Sequence, residues 1–221
     1  MQVSDYVFVD LITSGHRPRN DRILIANSYY YTDARTLKNW QGSFNTAHSS
    51  LSARLVYQFA DLLQGKILAA YNARLVYAFI KNEFKRHQIS WQQKILCLHR
   101  LAQTLFPEWQ DYSLETIQAY VENQGQEAGT VVEPRQAGSE KVRLLVNFFT
   151  KIIGHFPEVS LQASLDELNK TACLPPGLLT VNLAELPQTT GIYRFFDKNR
   201  ALLYVGKSVN LRNRVRSHFS G

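Results

Sequence analysis

Near the C-terminus two short apolar runs, Gly191-Ile192-Tyr193-Arg194-Phe195-Phe196 and Ala201-Leu202-Leu203-Tyr204-Val205-Gly206, flank Asp197-Lys198-Asn199-Arg200. A polar junction with Asp and Asn between two such runs predicts a hairpin, which brings Tyr193 and Tyr204 into one neighbourhood. Gly206 predicts a tight exit from the second strand, and Ser208 or Asn210 a cap for the helix that follows. On that helix Arg214 and His218 are four apart and share a face. A hairpin and one helix cannot close a core by themselves, so their apolar faces are expected to bury against other structure.

The formal net charge of +7 is concentrated in this segment. Arg194, Lys198, Arg200, Lys207, Arg212, Arg214 and Arg216 stand there against only Glu185 and Asp197. Positive charge gathered in one stretch favours a polyanionic partner, because phosphate contacts supply most non-specific nucleic-acid affinity. The bland alternative is a solvated basic helix.

A chain of 221 residues with 45% hydrophobic content supports one full core and a smaller appended unit. No uncharged apolar run reaches the ~18 residues of a membrane span, and Met1-Gln2-Val3-Ser4-Asp5 lacks the pattern of a signal peptide. A cytoplasmic protein with no membrane partner is expected. Cys97 and Cys173 lie far apart with no second Cys or His at metal spacing, which predicts neither a disulfide nor a zinc site.

Val7 to Leu11 and Arg22 to Tyr31 read as paired strands. Leu51 to Leu63 has helical spacing stopped by Gly65, Lys66 to Ala70 reads as a buried strand, and Tyr77 to His87 as a helix with Lys81, Lys85 and Arg86 outward. Trp91 to Phe106 predicts a further helix ended by Pro107. Glu122 to Ser139 is rich in Gly, Gln and Glu and reads as a loop. Helices are expected over Glu140 to Phe156 and Leu161 to Asn169, with a boundary at Pro175-Pro176-Gly177. The domains read as 1–155, a helical linker 156–180, and 181–221.

Gly191-Ile192-Tyr193, Tyr204-Val205-Gly206-Lys207-Ser208 and Asn210 to Phe219 resemble the opening of a GIY-YIG nuclease, the family that includes the excinuclease C protein and homing endonucleases. The resemblance implies phosphodiester hydrolysis, with two tyrosines assisting the water nucleophile and a lysine and an arginine meeting the phosphate. By position these roles fall on Tyr193, Tyr204, Lys207 and Arg214, with His218 as a further polar site. Lys207, Arg212, Arg214 and Arg216 are the expected DNA contacts. The family's metal-binding glutamate is expected beyond Gly221, so binding without cleavage is expected of this chain. No cofactor is expected here, and magnesium or manganese belongs to a complete GIY-YIG domain.

Phe8-Val9-Asp10-Leu11-Ile12-Thr13-Ser14-Gly15 followed by Asn20-Asp21-Arg22-Ile23, and Ala70 to Phe84, resemble the first two motifs of DEDD-type proofreading exonucleases. Leu101 to Ile117 is similar to the element before their third motif. The resemblance spans residues 6–155 and implies an RNase H-like α/β fold, a mixed sheet flanked by helices, joined to a partial GIY-YIG α/β unit. Such exonucleases hold two metal ions on four carboxylates and use a histidine as base. Only Asp10 is in place. Ile12 and Val76 stand where carboxylates belong, Gln136 where the histidine does, and Lys141 where the last aspartate does. A single carboxylate beside an ammonium cannot hold two divalent ions against their charge, so the exonuclease site is expected to be silent. Lys141 is then expected to pair with Asp10 as a structural cation. Tyr71 and Tyr77 are candidate stacking surfaces for single-stranded DNA, although Tyr77 reads more simply as core.

Together these features predict a DNA-binding protein of nuclease origin in repair or replication, located with the bacterial nucleoid. The alternatives are the front part of an active GIY-YIG repair endonuclease and a scaffold that docks replication or repair proteins. Oligomeric state is open.

Overall fold

A computed structural model of the chain describes residues 2–33, 36–44, 49–123, 140–170, 183, 185–197 and 199–219. It divides into two compact units, Met1–Leu165 and Asp166–Gly221. Cys173, Gln136 and the Pro175-Pro176-Gly177 boundary lie outside the described residues.

The larger unit is built on a five-stranded mixed sheet. Strands β1 (Tyr6–Thr13), β2 (Ile23–Tyr31) and β3 (Leu37–Ser43) form an antiparallel meander, and β4 (Ile67–Ala70) and β5 (Ile95–Cys97) add parallel to β1, in the order β3-β2-β1-β4-β5. Helices α1 (Ser49–Leu63) and α2 (Ala73–Arg86) supply one packed layer, and α3 (Leu98–Leu105), α4 (Leu114–Asn123) and α5 (Glu140–His155) follow. Helix α6 (Glu158–Lys170) carries the division between the units.

Strand β1 is covered on both faces, which explains its nearly unbroken apolar run. Val7 and Val9 enter a core cluster with Ile23, Phe59, Leu63, Leu68, Phe79, Ile80 and Phe84. From the opposite face Tyr6 and Phe8 meet Phe149 of α5, with ring centroids 4.7 and 5.5 Å apart. Burial pushes the Tyr6 phenol up to about 12, with the charge of Asp5 adding to it.

Local signals set the element ends. The Asn72 side chain accepts a hydrogen bond from Leu75 N and starts α2 earlier than the apolar spacing from Tyr77 predicts. Gly65 follows α1 with φ of +71°, the left-handed conformation that glycine adopts without strain.

One expectation fails and one strand has no counterpart among the expectations. The helix predicted from Trp91 is instead β5 followed by α3, because Ile95, Leu96 and Cys97 pair in parallel with β4 and tertiary pairing overrides the helical spacing. Strand β3 was not foreseen, since as an edge strand it carries few apolar residues beyond Leu37 and Trp40. The Cys97 Sγ lies 3.2 Å from the Tyr71 carbonyl oxygen.

The smaller unit contains an antiparallel hairpin of β6 (Gly191–Phe196) and β7 (Leu202–Ser208), followed by α7 (Leu211–Phe219). No helix among the described residues is long and apolar enough to cross a membrane.

Phe149 bridges α5 to the central strand and is fully buried. Phe149→Ala is expected to cost the larger unit about 3–5 kcal/mol, read as a lower urea midpoint by circular dichroism.

Candidate functional site

In the hairpin, Tyr193 stands opposite Gly206 and Phe195 opposite Tyr204. Side chains alternate along a strand, so Tyr193, Phe195 and Tyr204 share one face. Helix α7 brings His218 onto that face, with ring centroids 5.4 Å from Tyr193 and 5.2 Å from both Tyr204 and Phe195. The Tyr193 hydroxyl lies 2.6 Å from His218 Nε2.

Gly206 has a different role from the strand exit predicted. It sits within β7, and a Cβ there would run into the Tyr193 ring, so its bare backbone seats the tyrosine. Asn210 rather than Ser208 caps α7, its Oδ1 accepting from Asn213 N, while Ser208 Oγ accepts from Asn210 N in the preceding turn.

Interaction with the Tyr193 hydroxyl, and then with that of Tyr204, raises the already high pKa of Arg214. Burial, and then the positive charge of Arg214, lower the pKa of His218. The imidazole is therefore held neutral at physiological pH, with a ring nitrogen able to take a proton.

The sequence candidates thus separate. Tyr193, Tyr204, Arg214 and His218 come together. Lys207 pairs with Ile192, a register position on the opposite face. Arg212 donates from Nε to the Leu186 carbonyl at 2.7 Å and ties α7 to the segment before β6. Arg216 is exposed on α7. Phe195 was missed as the floor beneath His218; its alternation with Tyr193 was the available signal.

In the larger unit Asp10 continues the Tyr6 and Phe8 face of β1, and Lys141 Nζ of α5 lies 2.6 Å from its Oδ1. Ile12, next on that face, is 49% exposed. Val76 packs against the apolar core cluster. Among the described residues no group of three or more His, Cys, Asp or Glu side chains could hold a metal ion. One carboxylate already matched by an ammonium does not fit the two-metal chemistry that the exonuclease resemblance implies. Tyr71 donates its hydroxyl to the Tyr112 carbonyl, and Tyr77 packs on Trp91.

One constellation escaped the sequence reading. Glu83 is fully buried on α2, where Arg22 binds its carboxylate through Nε and Nη2 at 3.0 and 2.6 Å, and Arg86 Nη1 at 2.9 Å. Arg86, expected to face outward, is folded into this network. Burial pushes the Glu83 carboxyl up, but the two guanidiniums together outweigh it and leave the pKa lowered. Its signal was a glutamate three and four residues beyond Ile80 and Phe79, on the buried stripe of α2.

Residues 189–221 match the model of the UvrC-like GIY-YIG domain. Over 42 residues, 19% of this chain, it is 57% identical to UvrABC system protein C of Helicobacter hepaticus and 52% identical to that of Helicobacter pylori and of Christiangramia forsetii. The chain spans 7% of the length of these relatives. Among solved structures it is similar to E. coli exonuclease I in complex with a dA16 oligonucleotide, with a TM-score of 0.52 and 15% identity over 75% of this chain and 43% of that one. A second exonuclease I structure, bound to an inhibitor, gives a TM-score of 0.53 at 15% identity over 88% and 49%. The larger unit therefore has the fold seen in exonuclease I, and residues 189–221 are similar to the UvrC-like GIY-YIG domain.

Two outcomes are expected. His218 titrates below its ordinary value in an NMR pH titration, and Arg214→Ala moves it part of the way back by removing the neighbouring charge. Since this pKa is depressed on folding, the stability linked to neutral His218 is present above about 6.5 and is lost as pH falls through the folded value. Lys141→Asp sets two carboxylates together and is expected to cost the larger unit about 1–3 kcal/mol in urea unfolding, between the effects of exposed and buried pairs.

Proposed function

We propose that this chain acts on DNA in repair, with the face built from Tyr193, Tyr204, Arg214 and His218 as its phosphodiester site and the exonuclease-like unit as a non-hydrolytic support. The observation that carries the reading is the 2.6 Å contact between the Tyr193 hydroxyl and His218 Nε2, beside an arginine whose pKa both tyrosines raise.

Chemistry follows from the donors. The Arg214 charge beside the Tyr193 oxygen stabilises developing phenolate charge, and a neutral imidazole facing the hydroxyl can accept its proton. Tyr193 can then take a proton from a water directed at phosphorus. Arg214, fully charged, also offers a forked donor to the phosphate oxygens. Lys207 and Arg216 lie outside the tyrosine cluster and serve as backbone contacts along the strand.

The larger unit keeps the framework of the exonuclease fold with Asp10 neutralised by Lys141, an aliphatic side chain at Ile12, and Val76 drawn into the core. A lysine ammonium can balance one carboxylate but cannot activate water as a divalent ion does. This unit binds or positions rather than hydrolyses. Replication or repair proteins are the partner class such a unit would dock.

The test has two readouts on the full chain. With labelled duplex DNA, Lys207→Ala/Arg214→Ala is expected to weaken binding and to reduce the salt slope of the affinity by about 1 for each phosphate no longer neutralised. Unchanged binding overturns the assignment of the hairpin and α7 as a DNA contact. With 5′-labelled DNA and magnesium or manganese, no ladder shortening from the 3′ end is expected. Such a ladder would show a working exonuclease site and refute the silent reading of Asp10 and Lys141.

A further inference from the structure

Most of the formal charge lies at the C-terminus, yet the turn between β1 and β2 is itself basic. His16-Arg17-Pro18-Arg19-Asn20-Asp21-Arg22 carries three arginines, and its backbone is held at nearly every residue. Ser14 N donates to the Arg22 carbonyl, and Ser14 Oγ accepts from Arg22 N. Asn20 N and Asp21 N both donate to the Arg17 carbonyl, and Asp21 Oδ2 accepts from Arg17 N at 2.7 Å. A Cβ at Gly15 would strike the Asp21 carboxylate, so the acid is turned into the loop against the glycine.

The clamp comes from α2. Arg86 Nη2 donates to the carbonyls of Arg19 and Asp21 at 3.0 and 3.1 Å, while its Nη1 and the Arg22 fork grip buried Glu83. Both carboxylates near the turn are thus occupied, Glu83 by Arg22 and Arg86, and Asp21 by the turn's own backbone. Arg17 and Arg19 remain exposed on either side of Pro18. Nothing large and apolar in the turn offers a peptide a packing surface. Guanidiniums, an imidazole and an amide are what a strand held through its phosphates requires.

From this arrangement we infer that the β1–β2 turn is a second nucleic-acid contact, in which Arg17 and Arg19 hold consecutive phosphates of a DNA strand on a backbone pre-ordered by the Glu83–Arg86 clamp. Pre-ordering matters because an arginine on a mobile loop loses backbone freedom on binding, and one on a fixed turn loses only side-chain freedom. The site is independent of the Tyr193 face and shares with it only the phosphate chemistry of the ligand.

The experiment uses the full chain and fluorescence anisotropy with a labelled 20-nucleotide oligothymidine and a labelled 20-base-pair duplex, over about 50–200 mM salt. Arg17→Ser/Arg19→Ser is expected to reduce the slope of log affinity against log salt by about 1.8 on duplex, or about 1.4 on the single strand. The probe whose loss reaches its own expected value identifies the form bound. Arg17→Lys/Arg19→Lys should retain most of the slope. The same loss is expected when the pair is introduced into Lys207→Ala/Arg214→Ala, so a failure of the Tyr193 face as a DNA site leaves this result readable. An unchanged slope on both probes overturns the inference. So does an equal loss from Lys38→Ser/Lys94→Ser, exposed cations elsewhere on the same unit, because that would be an effect of net charge alone.

Discussion

The contact of Phe149 with Tyr6 and Phe8 fixes more than a layer of the core. It sets the angle and register at which α5 lies over the central strand. Two turns toward the start of α5 from Phe149 stands Lys141, and one alternation beyond Phe8 on the same face of β1 stands Asp10. Once the rings are packed, the ammonium meets the carboxylate. The surroundings of Asp10 on this face therefore include a cation that the apolar packing delivers there. Coulomb attraction follows the packing, since a partly exposed pair contributes far less than a buried phenylalanine.

Charge and burial meet differently at Glu83. A carboxylate with no solvent exposure carries a large desolvation cost and persists only when donors surround it. Arg22 arrives from the edge of β2 and Arg86 from the next turn of α2, so the ion pair joins helix to sheet at the point where the chain reverses direction. The same Arg86 holds two carbonyls of the turn. A residue that looks like a core error in the sequence is thus the anchor of the loop, and the loop's exposed arginines inherit its rigidity.

Much of this was legible in the sequence. The runs of β1, β2 and β4 showed because strands buried on both faces are rich in apolar and aromatic residues, and α5 showed through its wide apolar stripe. The tyrosine pair, Arg214 and His218 were readable because a hairpin and a single helix turn are local structures whose spacing determines proximity. Strand β3 and strand β5 were not, since one is an edge strand with a polar face and the other is three residues defined by partners 27 positions away in sequence. The Asp10–Lys141 pair could be reached only through the exonuclease resemblance, because no local pattern links a strand residue to a helix 131 positions later. Lys207 shows the limit of carry-over by position: its place in the motif says nothing of which face the register gives it.

In the smaller unit, chemistry depends on a missing atom. Tyr193 can lie across β7 only because its cross-strand partner has no Cβ, and in that pose its hydroxyl reaches His218. An alanine at Gly206 would lift the ring from the strand and separate the phenol from both the imidazole and Arg214. Asn210 fixes the start of α7, and Arg212 fastens that start to the Leu186 carbonyl, so the helix cannot readily shift to follow a displaced ring. The helix position and the bare strand position are therefore one requirement. A hydroxyl and a neutral imidazole meet at hydrogen-bond distance because the hairpin leaves a gap of one methyl group and the helix is pinned above it.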